Sequence, residues 1–386
     1  MKSFGATAGG CAEGVAVNKG RVLADDDLGF YALADGVRGH PSGGRAAEIA
    51  LERAASRIRA AGPIRGAAAL TLLQEVVQDC SRAVHEAGIA APGDRGMSAA
   101  LSMVWIVGDR AHIAHVGHSG VHMARMGRLH RLSRDHSVAM ELVEMGLLEP
   151  AGAVDHPMSR VLTRAVGMQE AVLPDTLSIE LVPGDRFILS AAGAVEAPDK
   201  VVEAMARDAL ARALVDATLA RNQRDWSNAV VVEILSDADA DAGGRDALAK
   251  LDALKGMFLF RALDMSELAR VLESSVLRRA EAGDMLIREG SREHSLYLIL
   301  DGELEVIKNG VVLARFGKGG HVGEMALVSG APRSASVRAT RPTRFLEIHR
   351  EQWEGLLHRA PATGVKLLSA LSEELSNRLA RMNERV

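Results

Sequence analysis

The sequence predicts an α+β protein in two parts: a layered sandwich of strands and helices, then a small barrel or β-jelly roll with flanking helices. Three observations lead there. Residues 1–235 alternate between short β-type runs and long alanine- and leucine-rich stretches with helical spacing. Residues 236–250, SDADADAGGRDALAK, are small, polar and acid-rich, with no apolar periodicity, which suits a linker. Residues 283–350 then run as short strands punctuated by glycine. The expected division is 1–236, a linker at 237–250, and 251–386.

In the first part LGFYALADG, LSMVWIVGD, AHIAHVG and NAVVVEI read as strands, rich in β-branched and apolar residues. Residues 44–59, 66–87 and 199–221 carry apolar residues at helical spacing. Several strands, two long helices and more strands fit a layered α/β or α+β sandwich. No glycine fingerprint follows a first strand, which argues against a Rossmann domain. In the second part LKGMFLFRALDMSELARVLESS reads as one or two short amphipathic helices. The strands MLIREG, SLYLILDG, ELEVIKNG, VVLARFG, SASVRAT and RFLEI follow, with tight turns expected at Asp301-Gly302 and Asn309-Gly310. After residue 350 the pattern is helical again, and Leu368, Leu371, Leu375, Leu379 and Met382 form an apolar stripe. That stripe either packs on its own barrel or forms the seam of a homodimer.

Composition limits the function classes. Of 386 residues, 48% are hydrophobic and 25% charged, as in ordinary globular chains. A formal net charge of -4 argues against a general binder of nucleic acid or anionic membranes. No apolar run approaches the roughly 18 residues of a membrane span, and MKSFGATAGG lacks the apolar core of a signal peptide. Cys11 and Cys80 cannot build a disulfide scaffold, so a cytoplasmic setting is expected.

The stretch GKGGHVGEMALVSGAPRSASVRA, residues 317–339, carries the most chemistry. Gly319, Gly320 and Gly323 allow close backbone approach to a ligand. Glu324 can accept from a sugar hydroxyl, and Arg333 offers a planar fork of donors suited to phosphate, with the Ser334 hydroxyl beside it. An anion beside a sugar hydroxyl describes a nucleotide. On chemistry alone, a surface Glu–Arg pair in a glycine-rich loop fits equally well.

Residues 258–350 resemble a cyclic nucleotide-binding domain of the catabolite-activator and kinase-regulatory-subunit kind. GEMAL followed by APRSASV is similar to its phosphate-binding cassette. The resemblance assigns the ribose 2′-hydroxyl to Glu324 and the cyclic phosphate to Arg333. Gly323, Met325, Ala326 and Ala335 would line the same pocket through backbone groups. Ser334 leans toward cAMP over cGMP, and the C-terminal helix would be the lid over the base. No separate winged or helix-turn-helix element is seen after residue 350, which argues against a transcription factor.

In the first part LADGVRGHPSGG places Asp35 at a strand end before a glycine-rich turn. Such an aspartate either binds a divalent metal or caps the following helix, and one carboxylate alone makes no metal site. Residues 5–235 resemble the PP2C-type metal-dependent Ser/Thr phosphatases. The ordered matches are LADGVRGHPSGGRAAEIA, HIAHVGHSGVHMARMGRLHRLSRDHS, SRVLTRAVG, LVPGDRFILSAAG and WSNAVVVEI. The resemblance implies an α-β-β-α sandwich and two Mn or Mg ions, held largely by aspartates, that activate a bridging water. Asp35 and the adjacent Gly36 carbonyl survive as metal-binding positions. The other acidic positions read Gly20, His118, Ala192 (within ILSAAGAVEAP) and Ser227, and a phosphate-contacting arginine aligns loosely with Val15. With Asp35 alone, two dications about 4 Å apart would repel almost uncompensated.

Substitutes come from two sources. Asp225, two residues before Ser227, is the best acidic candidate, while Asp25, Asp26 and Asp27 lie toward a loop. His112, His115, His118 and His122 are dense, with His40 and His136 nearby in the implied layout. A hairpin turn at Gly117–Gly120 would pair His115 with His122, and a zinc-like site of Asp35 and two histidines is conceivable chemistry. The alternative leaves these histidines hydrogen-bonded or partly solvated on a surplus surface. The expected function is a cyclic nucleotide sensor coupled to a non-catalytic PP2C-like pseudophosphatase that regulates an unidentified protein partner. The alternatives are a cAMP-regulated phosphatase with unusual metal ligands and a scaffold inactive at both ends.

Overall fold

The structure, a computed structural model, describes residues 1–12, 15, 17–62, 64, 66–153, 156–191, 202, 205–221, 226–235, 240–324 and 331–383. They divide into two units, Met1–Gly244 and Arg245–Val386, each treated by itself.

The first unit stacks two antiparallel sheets. Its strands are β1 (Lys2–Cys11), β2 (Gly20–Asp25), β3 (Phe30–Gly36), β4 (Ala99–Val107), β5 (Arg110–Val116), β6 (Gly120–Arg125), β7 (Arg128–Arg131), β8 (Asp175–Glu180), β9 (Arg186–Ser190) and β10 (Trp226–Leu235). One five-stranded sheet runs β1-β10-β9-β6-β7 and the other β2-β3-β4-β5-β8. Helices α1 (Gly43–Ala61) and α2 (Ala67–Ala90) cover the second sheet, burying Ala46, Ala50, Leu73 and Val77 against Phe30, Ala32, Leu101 and Met103. A short helix, α3 (Val138–Glu144), follows β7. Helix α4 (Arg207–Arg221) covers the first sheet, with Leu210, Ala211 and Val215 against Ile188, Ala229 and Val231. Every residue of β3 is buried, as expected for a strand covered on both faces.

This is the α-β-β-α sandwich of an α+β protein. The strand runs and the helices at 44–59 and 66–87 fall where the sequence puts them. Helix α4 covers the later part of the stretch expected over 199–221; most of 199–206 lies outside the described residues. Strand β1 has no apolar pattern to announce it, yet it pairs with β10 from Lys2↔Leu235 to Cys11↔Trp226. Its glycines make room for neighbours: a Cβ at Gly5 would sit 2.5 Å from the Tyr31 ring, and one at Gly9 2.5 Å from Asn228 Oδ1.

Residues 240–250, read as linker, are helical: they open α5 (Ala240–Gly256). In the second unit α6 (Met265–Glu273) starts on a reciprocal cap, with Glu267 N–H donating to Asp264 Oδ1 at 2.9 Å and Asp264 N–H to Glu267 Oε2 at 2.8 Å. The jelly roll comprises β11 (Val276–Ala280), β12 (Met285–Ile287), β13 (Ser295–Lys308), β14 (Val311–Gly317), β15 (His321–Val322) and β16 (Ser336–His349). Its six strands are ordered β11-β16-β13-β14, with β12 on β16 and β15 on β13. Tyr297, Ile299, Leu304, Val337 and Phe345 fill its core. Asn309 and Gly310 take positive φ of 49° and 78° at the β13–β14 reversal, as a tight turn requires. Asp301-Gly302 does not reverse the chain. It lies inside β13, where the register against β16 shifts and Gly302 has φ 101°. SASVRAT and RFLEI likewise form one strand, β16.

Helices α7 (Arg350–Arg359) and α8 (Pro361–Asn383) complete the unit. Glu267 ties α6 to α8, accepting from Lys366 Nζ at 2.8 Å and Thr363 Oγ1 at 3.2 Å. Of the apolar stripe, Leu371 is buried and Leu368 is exposed; the side chains of Leu375, Leu379 and Met382 lie outside the described ones. No helix among the described residues is long and apolar enough to cross a membrane.

Candidate functional site

At the end of β3, Asp35 faces Gly20 on β2 and Ala100 on β4. The carboxylate is 2% exposed and accepts from Trp226 Nε1–H at 2.6 Å. Lys19 Nζ and the Arg38 guanidinium lie 5.6 and 5.7 Å from the centroid of the Trp226 ring. Positive side chains thus already flank the group that holds Asp35.

Gly20 offers no side-chain donor, and its surroundings are filled. The Asn18 and Asn228 amides bond reciprocally, each Nδ2 donating to the other's Oδ1 at 2.9 Å. Asn18 Oδ1 also accepts from Gly20 N–H at 2.8 Å. A Cβ on Gly20 would fall 2.0 Å from Asn228 Nδ2 and 2.9 Å from its Cγ. A carboxylate therefore cannot be added at residue 20 without expelling Asn228. Gly36 is equally tight, because a Cβ there would lie 2.4 Å from the Gly43 backbone. Ser227 is buried on β10 opposite Gly10. Ala192 and Asp225 lie outside the described residues. Among the described residues these donors do not fit a pair of dications: one carboxylate is bonded to an indole, two amides are closed on each other, and residue 20 has no side-chain ligand atom. Among the described residues no three His, Cys, Asp or Glu side chains converge as metal ligands.

The histidines do not form the expected hairpin. Strand β5 lies in one sheet and β6 in the other, so residues 117–119 cross between sheets, and half-buried His118 sits on that crossover. His115 therefore faces Ser102 on β4 and Asp175 on β8, whereas His122 faces Arg131 and Ile188. Nor do they decorate a surplus surface: His112, His115, His122 and His136 are at most 5% exposed. His115 Nδ1 is 3.0 Å from Ser102 Oγ, and its Nε2 meets the Gly117 and Arg134 carbonyls at 3.1 Å. Gly117 N–H donates to His136 Nδ1 at 3.1 Å, leaving His136 Nε2 to face Asp175 at 3.3 Å. Burial, reinforced by His136, pushes His115 down to about 3; burial and then Arg131 do the same to His122. Burial and Arg110 bring His112 to about 4. Burial opposes ionisation of Asp175, yet its His136 bond and Arg164 hold it below the usual carboxylate range. His112, His115 and His122 are neutral, packed imidazoles, and sequence density alone carried no sign of their burial.

In the second unit Arg333 is 6% exposed and Glu324 5%. The Arg333 guanidinium donates from Nη1 to the Gly323 carbonyl at 3.1 Å and from Nη2 to the Ser295 carbonyl at 2.7 Å. Its Nε is buried without a partner among the described residues. Burial lowers the Arg333 pKa, offset by Tyr297 and the Glu293, Glu324 and Glu347 carboxylates. Gly323 has φ 93°, and a Cβ there would lie 2.5 Å from the Ser295 carbonyl and 2.8 Å from Arg333 Nη1, so glycine is required. Ser334 is exposed and Ala335 half-buried beside it; Met325 and Ala326 lie outside the described residues. Ser295, at the start of β13, is the contact that motif reading did not supply.

Residues 277–360 match the cyclic nucleotide-binding domain family and residues 20–153 the protein phosphatase 2C family. The chain fuses a PP2C-like domain to a cyclic nucleotide-binding domain. Among solved structures, the PPM Ser-Thr phosphatase MsPP from Mycobacterium smegmatis, in complex with cacodylate, is 28% identical with TM-score 0.53, over 60% of this chain and 98% of that one. The serine/threonine phosphatase PstP/Ppp of Mycobacterium tuberculosis shares the fold, at 23% identity and TM-score 0.56, over 61% of this chain and all of that one (100%). Among curated relatives, a cGMP-dependent protein kinase of Plasmodium berghei is 37% identical over 91 residues, covering 24% of this chain and 11% of its own. A cAMP-dependent protein kinase regulatory subunit of Yarrowia lipolytica is 34% identical over 100 residues, covering 26% of this chain and 27% of its own. The chain thus spans between 11% and 27% of the length of these two curated relatives.

Proposed function

We propose that the chain is a cyclic nucleotide sensor, with cAMP as the preferred ligand, whose PP2C-like domain regulates a partner protein by binding and does not hydrolyse phosphoesters. The observation that carries the sensor reading is the buried Arg333 guanidinium: two donors are fixed on backbone carbonyls, and Nε is left for an anion. Glu324, Gly323, Ser334, Ala335, Met325 and Ala326 complete the ligand site in this reading. The exposed Ser334 hydroxyl favours cAMP, although one similar protein is named for cGMP and another for cAMP. The non-catalytic half is supported by Asn228 standing where a Gly20 side chain would be and by Asp35 being held by Trp226.

Calorimetry with cAMP and cGMP, alongside a Mn-dependent p-nitrophenyl phosphate assay, tests the reading. The expected result is micromolar cAMP binding, weaker cGMP binding, loss of both in Arg333→Ala, and no Mn-dependent turnover. Turnover abolished by Asp35→Ala would establish the alternative, a cAMP-regulated phosphatase using Mn or Mg. No binding of either nucleotide would leave the scaffold reading.

A further inference from the structure

Arg333 is wired to the start of α7 by consecutive bonds that the nucleotide motif does not contain. Its Nη2 donates to the Ser295 carbonyl at 2.7 Å, and Ser295 Oγ lies 2.8 Å from His349 Nδ1. Ser295 and His349 are register partners at the end of the β13–β16 ladder, and Ser295 is 2% exposed. His349 is the N-cap of α7: its backbone N–H donates to Gln352 Oε1 at 2.9 Å in the first helical turn. The next residue, Arg350, donates its N–H to the His294 carbonyl at 2.8 Å. Thus the residue that caps α7 also holds the residue whose carbonyl anchors Arg333.

We propose that Ser295 and His349 are positioning residues that transmit occupancy of Arg333 to the first turn of α7. The inference rests on the reading of Arg333 as the contact to the ligand phosphate. A guanidinium shares its positive charge among all its N–H groups, so an anion on Nε competes with the carbonyl on Nη2. The anion draws the guanidinium toward itself and slackens its hold on the Ser295 carbonyl. No water replaces that bond, because both groups are buried; the Ser295 backbone adjusts instead and carries the Ser295–His349 bond with it. Whichever of Oγ and Nδ1 donates, the bond fixes His349 at the helix N-terminus, where its backbone N–H is tied to Gln352 in the first turn. Trp353 and Leu356, both buried, make α7 respond as one body.

Hydrogen exchange of the full chain with and without cAMP, paired with calorimetry, is the test. In the wild type, cAMP is expected to change exchange of the α7 amides by about tenfold. Ser295→Ala is expected to bind cAMP within about threefold of wild type and to lose that change, because the side-chain link is cut while the carbonyl remains. Ser295→Thr, which keeps the hydroxyl, restores it. His349→Leu should behave as Ser295→Ala, and His349→Asn, a good N-cap, should recover part of the response. An unaltered α7 response in both Ser295→Ala and His349→Leu overturns the relay while leaving the nucleotide reading intact. So does wild-type binding without any α7 response. A wild type that binds neither cAMP nor cGMP overturns both.

Discussion

Around Asp35, Trp226 N–H meets the carboxylate at 2.6 Å and the Asn18 and Asn228 amides close on each other at 2.9 Å. Around Arg333, two donors are fixed on backbone carbonyls while Nε stays unpaired among the described residues. Both centres are buried and both carry charge. A buried polar group without a partner costs free energy, so it persists where a ligand supplies the missing bond. The first centre has satisfied itself internally, and the second keeps a place for something else. The difference is between a buried charge already matched from within and one with a donor still to be matched.

The largest effect expected is on pH stability, and it sharpens the contrast by probing the self-satisfied unit. His112, His115 and His122 titrate at about 4, 3 and 3 in the folded state, below the unfolded value near 6.5. The unfolded chain therefore takes up protons first as pH falls. The stabilisation is complete above about pH 6.5 and is lost on acidification toward the folded values, on the order of 2 kcal/mol per histidine by pH 5. Calorimetry of the full chain between pH 7.5 and about 5 should show the unfolding of residues 1–244 moving to lower temperature.

Arg333→Ala comes next, with cyclic nucleotide affinity expected to fall about a hundredfold or more in calorimetric titration. Unchanged affinity in this variant would show that Arg333 holds no place for the nucleotide. Mn binding gained by Gly20→Asp would show that the Asp35 centre is not closed. The expected outcome is instead destabilisation by about 1–3 kcal/mol in chemical denaturation, because the new Cβ collides with Asn228. Trp226→Phe should cost about 1–2 kcal/mol, since Asp35 loses a buried donor, and should leave nucleotide affinity unchanged.

Local pattern carried most of the architecture. The apolar runs at 30–36 and 99–107 and the alanine-rich helical face at 43–61 specify buried elements because their apolar pattern reflects what covers them. Strand β1 escaped that logic: its glycines exist for neighbours, Tyr31 and Asn228, that are distant in sequence. Asp301-Gly302 looked like a turn because positive φ serves a strand irregularity as well as a reversal. Glu324 and Arg333 stand out in the sequence because they lie within one short stretch, and both are buried. The Asn18–Asn228 pair, the Asp35–Trp226 bond and the Arg333–Ser295 contact were not, since each joins residues between 38 and 210 positions apart. The histidine cluster was misread for the same reason. Its fate depended on which sheet received the chain after Gly117, a tertiary choice with no local signature.

The Asn228 amide has one more consequence, for the order in which substitutions can accumulate. An aspartate arriving at residue 20 meets an occupied position, and one replacing Asn228 first would strip Asn18 of its reciprocal partner. Each single step is penalised, and any gain would require both steps together. The amide pair therefore acts as a ratchet in sequence space: once closed, it blocks single-step routes to a carboxylate at residue 20.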